Sequence, residues 1–231
     1  MREKELKDGT ASVSSSSPTA FKEHEVKEYE RKRYRGVDQR LVHAREAHIL
    51  ERILERVAPE SGNALDVPCG YGRFSGLFRK RGWGLVSCDY SFSMVKRARE
   101  SREESKLLKD WGVVADAKQG LPFKEETFPI LLCMRFWHHV HDPAERKAIL
   151  GFFSRVTSGC VILSYYQVNA LHRFQRRFRR KLKKSPTRIK MISRAEFCDE
   201  VQGAGFECIE VVPLFRGIHA QHVALLKKIK T

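Results

Sequence analysis

Apolar residues along this 231-residue chain change rhythm near Asn63. Before it, from about Glu23 to Val57, they recur at helix-like spacings through Leu41, His48, Ile49, Ile53 and Val57. After it, short apolar runs alternate with amphipathic stretches, the pattern of a parallel sheet covered by helices. The runs predict strands at 64–68, 84–89, 112–116, 129–136, 158–165, 206–213 and 217–226. Helices are predicted between them, at 72–82, 92–105, 143–156 and 194–204. Two helix starts are explicit. Asp142-Pro143-Ala144-Glu145 combines a cap, a first-turn proline and a returning carboxylate, and Ser193-Arg194-Ala195-Glu196 is a capping box. The last two predicted strands have no helix between them, so a hairpin at one edge is expected. The fold class is therefore α/β, three layers around a seven-stranded, mostly parallel sheet with an antiparallel C-terminal hairpin strand.

The same pattern divides the chain. Residues 1–20 include ASVSSSSPTA, which has no large side chain to offset the entropy of ordering, so a disordered Ser-rich tail is expected. Residues 21–62 form an N-terminal helical region, and 63–231 form the main domain with a basic amphipathic insertion at 167–192. The longest apolar run, Phe128 to Met134, is far shorter than the roughly 20 residues of a bilayer-spanning helix. No apolar signal segment follows the N-terminus, and the six cysteines contain no CxxC pair. The expectation is a reduced, cytoplasmic protein with neither a disulfide framework nor a zinc ribbon.

Charge changes this picture in one place. The formal net charge is +16, yet residues 1–63 carry 13 basic against 12 acidic side chains. Between Gln167 and Ala195 there are eleven Lys and Arg and no acid. Within that stretch Leu171, Phe174, Phe178 and Leu182 recur at spacings of 3, 4 and 4, one apolar stripe of a helix that Ser185-Pro186 should end. Three readings stand. The stripe can lie in a membrane interface with Arg toward anionic lipid, the cations can track a nucleic-acid backbone, or the helix can pack on the domain with a solvated basic face.

Candidate chemistry concentrates in Asp66-Val67-Pro68-Cys69-Gly70-Tyr71-Gly72, where a predicted strand runs into a two-glycine loop and a helix follows. Such a loop lets backbone approach a nucleotide at the carboxyl end of a sheet. A pyrophosphate-binding reading is opposed by Ser75 in place of a third glycine and by the charge of Asp66 beside the loop. That carboxylate suits a ligand carrying an ammonium and a sulfonium. Asp89 ends the next strand, where a carboxylate can accept from both ribose hydroxyls. Asp116, followed by Ala117 and Leu121-Pro122-Phe123, can accept from an adenine amine between apolar neighbours.

Taken in order, DVPCGYG, CDYS, ADAKQGLPF and MRFWHHVHDP resemble a class I S-adenosylmethionine-dependent methyltransferase over about 41–231, of the type that acts on small molecules and lipids. The resemblance implies the Rossmann-like methyltransferase fold and S-adenosyl-L-methionine as cofactor. It further implies that Asp66 and the backbone of Cys69, Gly70, Tyr71 and Gly72 hold the methionine part, Asp89 the ribose, and Asp116 and Ala117 the adenine, with Pro68 and Tyr90 also among the cofactor-binding residues. Met134, Arg135 and Phe136 would line the site at the fourth strand tip. Pro68 departs from the family's first loop glycine, and Pro129 from the aspartate that commonly opens the fourth strand.

Methyl transfer to oxygen or nitrogen often needs a general base. His138 and His139 are the candidates, with His141 nearby and Tyr165 and Tyr166 closing the fifth strand; the alternative is that the histidines only order the loop before Asp142. His-His-x-His lacks a further ligand at a fitting spacing, so no metal is expected. The expected acceptor is a lipid-like or anionic small molecule, with contact to an anionic membrane surface through 171–190 on the inner face. An RNA methyltransferase using 172–190 on phosphates, or a non-catalytic cofactor-binding module, are the alternatives.

Overall fold

The computed structural model describes residues 37–57, 62–100, 110–168 and 189–229. The tail expected over 1–20, the first part of the helical region and residues 169–188 of the basic insertion lie outside the described residues. In chain order the elements are α1 (Val37–Val57), β1 (Asn63–Asp66), α2 (Ser75–Arg79), β2 (Gly84–Asp89), α3 (Phe92–Glu100), β3 (Asp110–Val114) and β4 (Phe128–Cys133). A single 3₁₀ turn (Trp137–His139), α4 (Pro143–Val156), β5 (Thr157–Tyr166), α5 (Arg194–Gln202), β6 (Phe206–Pro213) and β7 (Gln221–Lys228) follow.

One sheet carries all seven strands in the order β3-β2-β1-β4-β5-β7-β6. β1 through β5 pair in parallel, and β7 runs antiparallel to both β5 and β6. The expected C-terminal hairpin is present, but β7 inserts beside β5 and leaves β6 at the edge. β1, β4 and β5 are apolar on both faces because each face is covered. Leu65, Leu131, Val161 and Leu163 meet Ile149, Phe153, Phe197 and Val201 of α4 and α5 in one core. Ala64, Ile130, Leu132 and Ile162 meet Ile49, Leu50, Ile53 and Leu54 of α1 and Phe78 of α2 in the other.

Several element ends depart from expectation, each for a local reason. β4 stops at Cys133, short of 136, because Arg135 takes a left-handed φ of 58° and turns the chain out of the ladder. α2 opens at Ser75 and not at 72, since Gly72 has φ 79° and the Ser75 N–H still closes a turn onto the Gly72 carbonyl. β3 spans Asp110–Val114, so Asp116 lies beyond it in a turn. β7 starts at Gln221 after a turn containing Gly217 at φ 75°. In α1, Leu41 is 59% exposed and His48 is exposed, so the buried stripe is Ile49, Leu50, Ile53 and Leu54.

Pro129 is accommodated by a register shift of β4 against β5 between Phe128 and Ile130. Gly159 faces it at very close range: a Cβ there would sit 2.5 Å from the Pro129 carbonyl oxygen.

Candidate functional site

The strand tips of β1, β2 and β4 meet around a cleft with a volume of about 160 Å³. It is lined by Asp66, Pro68, Cys69, Gly70, Tyr71, Asp89, Met134 and Arg135 from the sequence expectation, and also by Arg73, Phe74 and Met94. The loop that brings them together is fixed by backbone bonds. The Cys69 N–H donates to the Cys88 carbonyl (2.8 Å), splicing the loop onto β2, and the Gly72 N–H closes a turn on the Cys69 carbonyl (3.0 Å). Gly70 sits at φ 51°, a conformation glycine reaches without strain.

Asp89 is the pivot of this end. Its Oδ2 accepts from the Gly70 N–H and its Oδ1 from the Ser91 N–H, each at 3.0 Å. Burial raises the Asp89 carboxyl above the usual carboxylate range, while the Ser91 and Gly70 amides oppose that rise. Asp66, also buried, faces the same cleft. Burial pushes the neighbouring Cys88 thiol up to about 12, with Asp89 and Asp66 adding to it, so this cysteine stays a protonated small hydrophobe.

The remaining expected cofactor residues stand around the cleft and do not line it. Gly72 is turned into the protein, packed against Ala98. Tyr90 is 39% exposed beside Asp89. Asp116 is close enough for its charge to reach Asp89, and it orders its own turn by accepting from the Lys118 N–H at 2.9 Å. Ala117 is buried, and Phe136 packs against the core on the α4 and α5 side.

At the second end of the cleft Arg135 was expected, but the partners that hold it were not. Glu46 of α1 is fully buried and accepts from Arg135 Nε and Nη2, both at 2.7 Å. Gln221 Nε2 donates to the same carboxylate at 2.6 Å, and Arg73 Nη2 lies 3.5 Å from it. Arg73 Nε in turn donates to His43 Nδ1 (2.9 Å). Burial, and then the Arg73 charge, hold His43 below its usual pKa, so its ring is neutral with the proton on Nε2. Burial alone would lower the Arg135 guanidinium, but the Glu46 bonds and charge outweigh it and raise it. The sequence did hold one signal for this cluster. Glu46 falls three, four and seven residues before Ile49, Leu50 and Ile53, a carboxylate within the buried stripe.

The histidines lie past Arg135. His138 is buried, with its ring 4.0 Å from His139 and 4.5 Å from Tyr166. His139 and His141 are exposed. Tyr166 also faces His219 at 6.1 Å. Tyr165 points to the opposite side of β5, stacked on Phe197 at 4.0 Å, so of the two tyrosines only Tyr166 joins the histidines. Arg146 of α4, fully buried, fixes the histidine loop: Nη1 donates to the Val140 and His141 carbonyls (3.2 and 3.0 Å), while Nε donates to Glu200 Oε2 (2.9 Å). Both flanks of the basic insertion end here. The Lys190 N–H donates to the His138 carbonyl (2.9 Å), the Ile192 N–H to the Tyr166 carbonyl and the Val168 N–H to the Ile192 carbonyl (both 3.0 Å).

Comparison with known proteins adds three kinds of likeness. A family model described as a methyltransferase domain matches residues 38–211. The chain is 30% identical over 134 residues to a demethylmenaquinone methyltransferase of Thermobifida fusca, covering 58% of this chain and 56% of that protein. It is 30% identical over 106 residues to a ubiquinone biosynthesis O-methyltransferase of Xylella fastidiosa, covering 46% and 43%. The chain thus spans about half the length of these curated relatives. Among solved structures, magnesium protoporphyrin IX methyltransferase from Synechocystis PCC 6803 with bound SAH superposes with a TM-score of 0.72 at 15% identity, covering 87% of this chain and 93% of that one. A SAM-dependent methyltransferase from Methanosarcina mazei gives 0.66 at 20% identity, over 78% and 98%. These likenesses establish the fold.

Proposed function

The chain belongs to the methyltransferase-domain family, and we propose that it transfers a methyl group from S-adenosyl-L-methionine to oxygen or nitrogen of a lipid-like or anionic small molecule at the inner face of a membrane. The observation that carries the cofactor assignment is the donor set of the cleft. Asp89 is held at the β2 tip by backbone amides, Asp66 supplies a second buried carboxylate, and Arg73 and Arg135 form the other end. A ligand with ribose hydroxyls, an ammonium beside a sulfonium, and a carboxylate matches that polarity group by group.

The bound cofactor supplies an electrophilic methyl group on a sulfonium. The chain's own residues bind, orient and exclude water. Asp89 accepts the ribose hydroxyls, Asp66 faces the cationic part, and the Arg73 end takes the carboxylate. Phe74, Met94 and Met134 give the cleft apolar walls, which strengthen each of these charge contacts by keeping water out. His138 lies beside Tyr166 and is the residue to receive a proton from the acceptor.

The membrane part of the proposal rests on the sequence of 171–190 and on where its flanks are tied. The Lys190 N–H donates to the His138 carbonyl, and the Val168 N–H to the carbonyl of Ile192, whose own N–H donates to Tyr166, so both flanks of the cationic stretch are tied beside His138 and Tyr166.

Calorimetry with S-adenosylhomocysteine tests the cofactor site. Asp89→Ala is expected to weaken binding about a hundredfold, the size of two lost hydrogen bonds to a charged acceptor. Unchanged affinity would remove Asp89 from the site. Methyl-labelled cofactor incubated with the host's extract then tests the acceptor. Label in the organic phase supports a lipid-like molecule, and label released by ribonuclease replaces that reading with RNA.

A further inference from the structure

All six cysteines are free, and they divide by position. Cys69, Cys88, Cys133 and Cys160 are buried in the cleft loop and in β2, β4 and β5, where a thiol packs as a small hydrophobe. Cys198 of α5 and Cys208 of β6 are partly exposed, and the Cys208 thiol lies within hydrogen-bond reach of Cys198. A helix–turn–strand reversal brings them together. α5 ends at Gln202, Gly203 caps it, and Gly205 at φ 84° turns the chain back into β6. Cys198 stands five residues before Gly203, about 7.5 Å along the helix, and Cys208 three residues after Gly205, about 10 Å along the strand, so the two come level. Phe197 and Phe206 are fully buried in one core, and both thiols pack on its margin.

The two sulfurs are not equivalent. Burial first, and then the bond to Cys198, push the Cys208 thiol up to about 12, so Cys208 keeps its proton and Cys198 is the sulfur that attacks. The helix that carries Cys198 also holds the histidine loop. Glu200, two residues further on, accepts from Arg146, whose Nη1 donates to the Val140 and His141 carbonyls. A change in the contact between α5 and β6 therefore reaches that loop through one ion pair.

We propose that Cys198 and Cys208 are a redox modification site, at which a small disulfide such as oxidised glutathione converts the pair to an internal disulfide that shifts α5 and, through Glu200 and Arg146, the histidine loop. In the first step the Cys198 thiolate attacks one sulfur of the reagent, forming a mixed disulfide and releasing one glutathione. In the second the Cys208 sulfur gives up its proton and attacks the Cys198 sulfur, forming the internal bond and releasing the second glutathione. The two protein thiols lose two electrons and two protons, and the reagent's S–S bond takes up both.

The test exposes the folded full chain to oxidised glutathione, quenches with acid, and alkylates in denaturant before digestion with trypsin. No Lys or Arg lies between Ala195 and Phe215, so both cysteines fall on one peptide, Ala195 to Arg216. Mass spectrometry should show that peptide short of two hydrogens and without alkyl groups. The four buried cysteines should be fully alkylated, and dithiothreitol should reverse the change. Cys208→Ser should instead retain glutathione on Cys198. Oxidation should shift the ring signals of His139 and His141 in proton NMR, while Cys198→Ala treated alike should leave them in place. The wild-type peptide decides the site even if a variant fails to fold. Both cysteines alkylated in the wild type, glutathione retained on either of them, or a buried cysteine oxidised as readily overturns the modification site. Histidine signals that stay in place on full oxidation overturn the link to the loop.

Discussion

The two ends of the cleft are built on different physical plans. At the β1 and β2 tips the buried carboxylate of Asp89 is held by backbone amides, from Gly70 and Ser91. At the β4 tip the buried carboxylate of Glu46 is held by side chains, two guanidiniums and an amide from Arg135, Arg73 and Gln221. A backbone cradle is set once the loop is folded and tolerates change in surrounding side chains. A side-chain cradle fails when any member is lost, because it leaves another charge buried and unpaired.

Substitutions should expose that difference. The largest effect is expected from Glu46→Ala, which strands Arg135 in a buried position; breaking such a pair costs about 3–5 kcal/mol. Denaturant unfolding should show the loss, and Glu46→Gln, which keeps the shape and one acceptor, should recover part of it. Equal stability of Glu46→Ala and wild type would mean that the cluster is solvated and not a brace.

At the other end the sensitive atoms are backbone ones. Gly72→Ala places a Cβ 3.0 Å from the Ala98 Cα at φ 79°, so both the left-handed backbone and the α3 contact resist it, at a cost of about 1–3 kcal/mol. Gly70→Ala at φ 51° meets nothing within 4 Å and should cost only the backbone strain, about 1–2 kcal/mol. Both variants should lower affinity for S-adenosylhomocysteine, with Gly72→Ala the less stable of the two by thermal melting. The reverse order would show that α3 moves aside.

This contrast also explains what could be read from the sequence. Asp66, Gly70 and Asp89 sit within one strand–loop–helix–strand unit, so their spacing along the chain carries their geometry. Glu46 bonds Arg135 across 89 residues and Gln221 across 175, and no local pattern announces either. What was visible, a carboxylate amid Ile49, Leu50 and Ile53, carries meaning only once α1 is known to lie over the strand tips. The strand count and the parallel core were legible because both faces of β1, β4 and β5 are apolar. Element ends were less so: Arg135, Gly72 and Gly217 stop or delay their elements through positive φ, and a positive φ at an arginine has no signature in composition. Tyr165 and Tyr166 look equivalent in sequence, yet strand alternation sends one into the core and the other to the histidines.

The smallest expected effect separates the two ends by sign. His43, at the side-chain end, has its pKa held below the usual 6.5, so between that value and its folded one the unfolded chain binds more protons. Its contribution to stability is complete above 6.5 and is lost as pH falls through the folded pKa. Asp89, at the backbone end, has its pKa raised above the usual 3.8, so the folded chain holds the proton longer. Its contribution is complete below 3.8 and is lost as pH rises through the folded pKa. Replacing His43 by Asn keeps an acceptor for Arg73 and removes the titration, so stability should fall less steeply on acidification from pH 7.5 to 5 than in the wild type. His222, buried and shifted in the same direction, keeps part of that slope. Replacing Asp89 by Asn should act oppositely, removing a loss that accompanies rising pH. Parallel stability curves for wild type and His43→Asn would mean that Arg73 does not depend on a neutral His43, and the side-chain end would then reduce to Glu46 and its partners.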